Sequence, residues 1–349
     1  MLKEVRAWQK KFAPARYFPE SENAMQGIKD RFAHSAWGAR LSFAAVLLVC
    51  SEWIVWQKPT AYHPLEWLGI ATVYVALAAL TLDLLVRLNV REAPRLLVLA
   101  GLYGLVNATL IAHITARDLP VSLLGRPLGA QPLAFLLALA IFQVLSSGRP
   151  TGPLDFVGAL GSGVLWGIWV RWFPTVSDEP APAASSDQAI IALALLLLGC
   201  AALRFLLPGD SPRQERDWSL SYREMALMGA VLIAALAVGL GQGAIAGADL
   251  VILIGLGGFL AIILWLSALP GGRPSVLRHM LPLRRPNMAG WLLVVVAFLI
   301  GGWIGHHLPG EAQSDALFGA LAVFGLVWPP VTAGLIGARV LARLTHEGW

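Results

Sequence analysis

The sequence predicts an all-α, polytopic membrane protein with about ten transmembrane helices. Three observations predict it. Hydrophobic residues make up 57% of the 349 positions and charged residues only 13%, about half the usual charged fraction of a soluble domain. The apolar residues fall into ten long runs, each close to the roughly 17–25 residues that a spanning helix needs. Finally, lysine and arginine gather on alternate sides of those runs, as loop charge does in multi-pass proteins.

In order, the runs are 38–57, 66–87, 94–115, 128–147, 155–173, 188–207, 224–245, 248–269, 288–307 and 315–341. Only a tight turn around Ala246-Gly247-Ala248 separates the seventh from the eighth. With the N-terminus placed inside, the internal segments hold 22 of the 26 basic residues. Lys58, Arg117, Arg126 and Arg171 alone remain outside. Both termini are therefore expected in the cytoplasm, in what reads as a prokaryotic inner membrane. Missing a single span would scramble every later loop, so the charge asymmetry also supports the count.

Residues 1–37 form a separate unit. Leu2, Val5, Trp8 and Phe12 recur at helical spacing with Lys3, Arg6, Lys10 and Lys11 around them. This suits a short amphipathic helix lying on an anionic lipid surface. The opening residues are too polar for a secretory signal, which needs an early apolar run. Residues 174–187 are rich in Pro, Ala and acidic side chains and read as a flexible external linker. They divide the chain into two five-helix halves, 38–173 and 188–345. An odd number of helices per half would make those halves inverted relative to one another. The internal loop at 208–223, charged and mixed in sign, reads as a solvated surface loop with at most a helical turn.

Composition and motifs exclude several classes. The basic residues are dispersed between apolar runs, so nothing resembles a nucleic-acid surface. Cys50 and Cys200 sit inside apolar runs and show neither disulfide nor zinc spacing. The adjacent His306 and His307 point in different directions on a helix, and a metal site wants three or four ligands. Gln242, Glu311 and Asp315 add no such pattern. No cofactor and no metal are expected. No Walker motif is present, and Leu160 stands where a rhomboid-like serine at Ser162 would need glycine.

Polar groups inside spans are costly and are functional candidates by default. Asp83 precedes Arg87 by four residues, which suits a local ion pair. Asn107 lies nearest the middle of the third run, and Tyr103 shares its face one turn earlier. An amide there either joins helices or binds a ligand. His113, further out on the same run, either extends that stripe or is solvated at the interface. Gln143 and Arg204 lie near internal ends, where Arg204 can snorkel to water.

Small residues and prolines are the other signal. Gly158, Gly161, Gly163 and Gly167 mark the fifth run, and Gly301 and Gly305 the ninth. Gly163–Gly167 and Gly301–Gly305 are GxxxG pairs that allow close helix approach. The tenth run contains Trp328-Pro329-Pro330. Two prolines remove two helix hydrogen bonds and predict a kink or break, tolerated at membrane depth only beside protein or a cavity. Interrupted helices at matching positions of two halves point to a transporter site.

The expected function is transport of a weakly polar, amphipathic or lipid-like small molecule, with Asn107, Tyr103, Asp83, Gly163, Trp328, Pro329 and Pro330 as candidate site residues. A non-catalytic scaffold subunit of a larger membrane complex is the alternative. An enzyme acting on lipid ranks third. The lipid bilayer is the expected partner, with other membrane subunits as further partners under the scaffold reading.

Overall fold

The computed structural model describes residues 36–55, 63–116, 119–148, 151–176, 186–207, 215–267, 275–280, 283–309 and 314–346. All but the last two residues of the amphipathic segment expected over 1–37, and the body of the linker, lie outside the described residues. Among the described residues all regular structure is helical, with no strand.

Among the described residues ten principal helices follow the predicted order. They are α1 (Trp37–Val55), α2 (Pro64–Arg87), α3 (Ala93–Leu110), α4 (Val121–Ser147), α5 (Pro153–Val176) and α6 (Ser186–Leu206). The remainder are α7 (Tyr222–Gly241), α8 (Gly247–Ser267), α9 (Met288–His307) and α10 (Ser314–His346). Among the described residues, nine are long and apolar enough to cross a membrane. The exception is α6, whose described apolar stretch Ile190–Leu206 is shorter. The chain is a multi-pass helical membrane protein by length and composition of these helices.

Local sequence explains several ends. His63 and Glu66 close a reciprocal cap before α2, with Pro64 in the first turn. Ser221 and Glu224 do the same for α7, the S-x-x-E pattern that satisfies two otherwise orphaned N–H groups. Asn287 caps α9 by accepting from the Gly290 N–H. Gly148 ends α4 with φ of +57°, a left-handed stop that a side chain resists.

Two boundaries differ from expectation. The third helix stops at Leu110 rather than 115, and His113 sits in the following loop with φ of +52°. It therefore does not extend the Asn107 stripe. The fourth begins at Val121 rather than 128, because a π-helical turn, Arg126–Ala130, carries the helix past Pro127. Two more π turns lie at Val49–Val55 in α1 and Leu253–Gly257 in α8.

Burial sorts the helices into centre and periphery. In the spanning windows of α1 to α4, 61–67% of residues are buried, against 11–22% in α5, α7, α8 and α10. The four N-terminal helices thus form the middle. Around them α7 packs on α2, α8 and α10 on α3, and α6 on α1. The pairing α5–α9 is the most extensive in the molecule. These contacts run across the linker.

The α5–α9 crossing uses the predicted glycines. A Cβ at Gly163 would lie 2.0 Å from the Phe298 carbonyl oxygen, and one at Gly167 2.1 Å from that of Gly302. From the other side, Gly301 meets Leu160 and Gly305 meets Val164, each at 2.1 Å from a carbonyl oxygen. The two GxxxG pairs therefore face one another, backbone on backbone.

Of the predicted kink or break in the tenth helix, the break is absent: α10 runs without interruption through Pro329 and Pro330. Side-chain bonds flank the two prolines. Thr332 donates its hydroxyl to the Trp328 and Pro329 carbonyls at 2.9 and 3.0 Å. Trp328 Nε1 donates to the Leu128 carbonyl at 2.6 Å, within the π turn of α4. A π turn shifts the backbone hydrogen-bond ladder by one residue, and here a neighbouring helix's side chain bonds to one of its carbonyls.

Candidate functional site

The polar centre of the molecule is built from α1, α2 and α3. The π turn of α1 places two successive polar residues, Ser51 and Glu52, inside the bundle at 0% and 3% exposure. A π turn widens the helix by one residue. Tyr74 from α2 and Tyr103 and Asn107 from α3 face this turn, all buried.

Their hydrogen bonds form one connected network. The Tyr74 hydroxyl donates to Glu52 Oε1 at 2.6 Å. Asn107 Nδ2 donates to the Tyr74 oxygen at 2.8 Å and to the Tyr103 oxygen at 3.2 Å. The Tyr103 and Ser51 hydroxyls are 2.6 Å apart. The proton order follows from the carboxylate, which in ionised form only accepts. Tyr74 gives its hydrogen to Glu52, so its oxygen must accept from the amide nitrogen of Asn107. The second amide hydrogen goes to Tyr103, whose hydroxyl pairs with that of Ser51. Asn107 Oδ1 is left over, buried and without a hydrogen-bond partner among the described residues.

Gln131 adjoins this centre from α4. It is fully buried, and neither its amide nitrogen nor its oxygen is paired among the described residues. Its Cβ lies 3.2 Å from where a Gly104 Cβ would stand, next to Tyr103 on α3. Unpaired buried amides are uncommon because each costs its full desolvation. Asn107 on α3 and Gln131 on the facing α4 are two such amides among the described residues.

The other predicted site residues lie elsewhere. Asp83 accepts from Arg87 Nε at 2.6 Å, the expected i,i+4 pair, and also from the Leu220 N–H at 2.6 Å. Arg87 returns a bond to the Leu220 carbonyl at 2.6 Å. Arg40, 2% exposed, donates to the Trp218 carbonyl at 3.0 Å and lies 3.6 Å from Glu224. The segment before α7 is thus drawn into the bundle, with Trp218 fully buried. The expectation of a solvated loop over 208–223 fails at its C-terminal end, because two arginines and one aspartate satisfy its backbone. Arg204 does not snorkel either: it is 1% exposed and donates to the Arg284 carbonyl at 3.3 Å.

Gly163 is closed off by the α9 backbone, and Trp328 packs over Gly101 with its N–H engaged. The structure thus brings Asn107 and Tyr103 together and leaves Asp83, Gly163, Trp328, Pro329 and Pro330 apart from them. On the opposite side of the molecule from the basic loops, Asp249 accepts from the Ala116 and Ala246 N–H groups at 2.7 and 2.8 Å. It ties the loop after α3 to the start of α8.

Sequence reasoning missed Glu52, Ser51 and Tyr74. The signal was present: Glu52 is a carboxylate inside an apolar run, which membrane energetics makes a candidate by default. Its nearness to Trp53, Trp56 and the end of the run made it resemble an interfacial residue. Among the described residues no group of three metal-ligating side chains occurs.

A second feature is a cavity of about 290 Å³, partly open at the side of the bundle. It lies between α4, α5 and α9, walled by Leu137, Val144, Gly158, Trp291 and Phe298, with Asp155 and Ser162 as polar members. Comparison of the chain with protein-family models, curated proteins and solved structures finds no match in any of the three.

Proposed function

We propose that this chain is a membrane transporter or permease for a weakly polar or amphipathic small molecule. The single observation that carries the reading is the buried Glu52–Tyr74–Asn107–Tyr103–Ser51 network on three central helices. A carboxylate inside a spanning segment is expensive and is retained where it works. The unpaired Asn107 and Gln131 amides supply spare donors and an acceptor for a substrate's polar group. The lateral apolar cavity suits the nonpolar part of an amphipathic molecule. In this reading Asn107 and Tyr103 keep the roles expected of them, and Glu52 and Tyr74 join them. Asp83, Gly163 and the Trp328-Pro329-Pro330 run serve the architecture. The Lys and Arg distribution supports placing both termini in the cytoplasm of a prokaryotic cell, with the chain in its inner membrane.

The scaffold reading draws on the broad exposed apolar faces of α7 and α8, which suit a partner subunit as well as lipid. It loses one support, since the GxxxG faces are spent on each other within the chain. Uptake into proteoliposomes separates the two. Labelled sugars, amino-acid esters and lysophospholipids are offered to vesicles with and without the protein. Protein-dependent entry that Glu52→Gln or Asn107→Ala abolishes, with insertion and thermal stability retained, is the expected result. Entry no faster than in empty vesicles for every solute class would overturn the transport reading.

A further inference from the structure

We propose that Glu52 is a reversible proton-binding site within the membrane, read out through Tyr74 and Asn107. The proposal rests on the transport reading for its purpose, while proton binding itself is a separate measurement.

Among the described residues, the geometry around Glu52 suits a proton rather than a metal cation. A hard cation requires about six or more oxygen ligands. Around Glu52 the described partners turn hydrogens toward the carboxylate instead. Tyr74 presents its O–H to Oε1, and Asn107 presents its N–H to Tyr74 in turn. Such a chain stabilises negative charge without coordinating a cation.

The titratable groups around the site among the described residues can be named. Tyr74 faces Glu52 from α2 and Tyr103 from α3, with Cys50 on its own turn. On α6, which packs against α1, the titratable side chains among the described residues are buried Cys200 and Arg204, the latter engaged with the Arg284 carbonyl. From α4 comes the neutral amide of Gln131.

The step is simple. A hydronium ion delivers a proton to one Glu52 oxygen, an O–H bond forms, the carboxylate charge is neutralised and a water molecule is left behind. Release reverses this, and no electron moves. Protonation converts an acceptor into a donor, so the Tyr74 hydroxyl can turn. The acceptor not yet used in this cluster is Asn107 Oδ1. A flip of that amide brings Oδ1 to Tyr74, which couples the proton on Glu52 to which amide atom faces Tyr103. The three helices thereby sense one proton.

Infrared difference spectra of the purified full-length protein, between alkaline and acidic buffer, test the proposal with protons as the only ligand. A carboxylic-acid carbonyl band should appear on acidification and lose the area of one carboxyl per chain in Glu52→Gln. In Tyr74→Phe, which keeps the carboxyl, the band should shift in frequency because the protonated carboxyl loses the Tyr74 oxygen that accepts its O–H. Identical spectra for wild type and Glu52→Gln, or a band unmoved in Tyr74→Phe, would overturn the proton site. Solute uptake is measured without a pH gradient, so that result leaves the transport reading standing. Conversely, a Glu52-dependent band in a protein that moves no solute overturns transport alone.

Discussion

Asp83 accepts the backbone N–H of Leu220 at 2.6 Å, joining the second helix to the segment that leads into the seventh. The bond is buried, and the same carboxylate holds Arg87. One side chain of α2 thus anchors a segment 137 residues away in sequence. Replacing Asp83 with alanine strands a buried N–H and releases Arg87, so a loss of about 2 kcal/mol or more is expected. Thermal unfolding in detergent should show the loss. Limited proteolysis should cut near Trp218 faster in the variant. An unchanged melting temperature would mean that water replaces the carboxylate.

Gly163 is a sharper structural test. Any Cβ there meets the Phe298 carbonyl oxygen at 2.0 Å, and the backbone must shift to admit it. Gly163→Ala is expected to cost about 1–3 kcal/mol, as overpacking does elsewhere. Gly161→Ala is the control, because a Cβ at Gly161 meets nothing within 4 Å. Detergent stability should separate the two variants on the same helix.

The prolines of α10 are expected to matter less than their position suggests. The helix is already continuous, so replacing Pro329 and Pro330 with alanine restores two N–H groups without straightening a break. Each restored bond is worth about 1 kcal/mol net, and the loss of proline's stiffness in the unfolded chain offsets part of it. Stability should change by no more than about 2 kcal/mol, and solute uptake should survive. A folded double variant that no longer transports would return these residues to the site.

Topology can be mapped by cysteine substitution in a background lacking Cys50 and Cys200. Pro180→Cys and Gly310→Cys should react with an impermeant thiol reagent from outside intact cells. Glu20→Cys, Glu215→Cys and Met280→Cys should react only after permeabilisation. The distribution of 22 basic residues against four motivates the pattern. Labelling of position 280 from outside would defeat the ten-helix arrangement.

The sequence by itself determined the helical, membrane-embedded class and the place of nearly every helix. Those follow from apolar run length, which the hydrocarbon thickness sets without reference to neighbours. It also determined the Asp83–Arg87 pair and the shared face of Tyr103 and Asn107, because four-residue spacing fixes a helix face. The glycine pairs announced close packing, but not that they would pack on each other. Tertiary structure alone decided the rest. Glu52 meets Tyr74 across 22 residues, and Trp328 meets Leu128 across 200. Neither contact leaves a periodic trace. The unbroken α10 was decided in the same way, since prolines dictate which bonds are lost and only neighbouring helices decide whether the helix survives losing them.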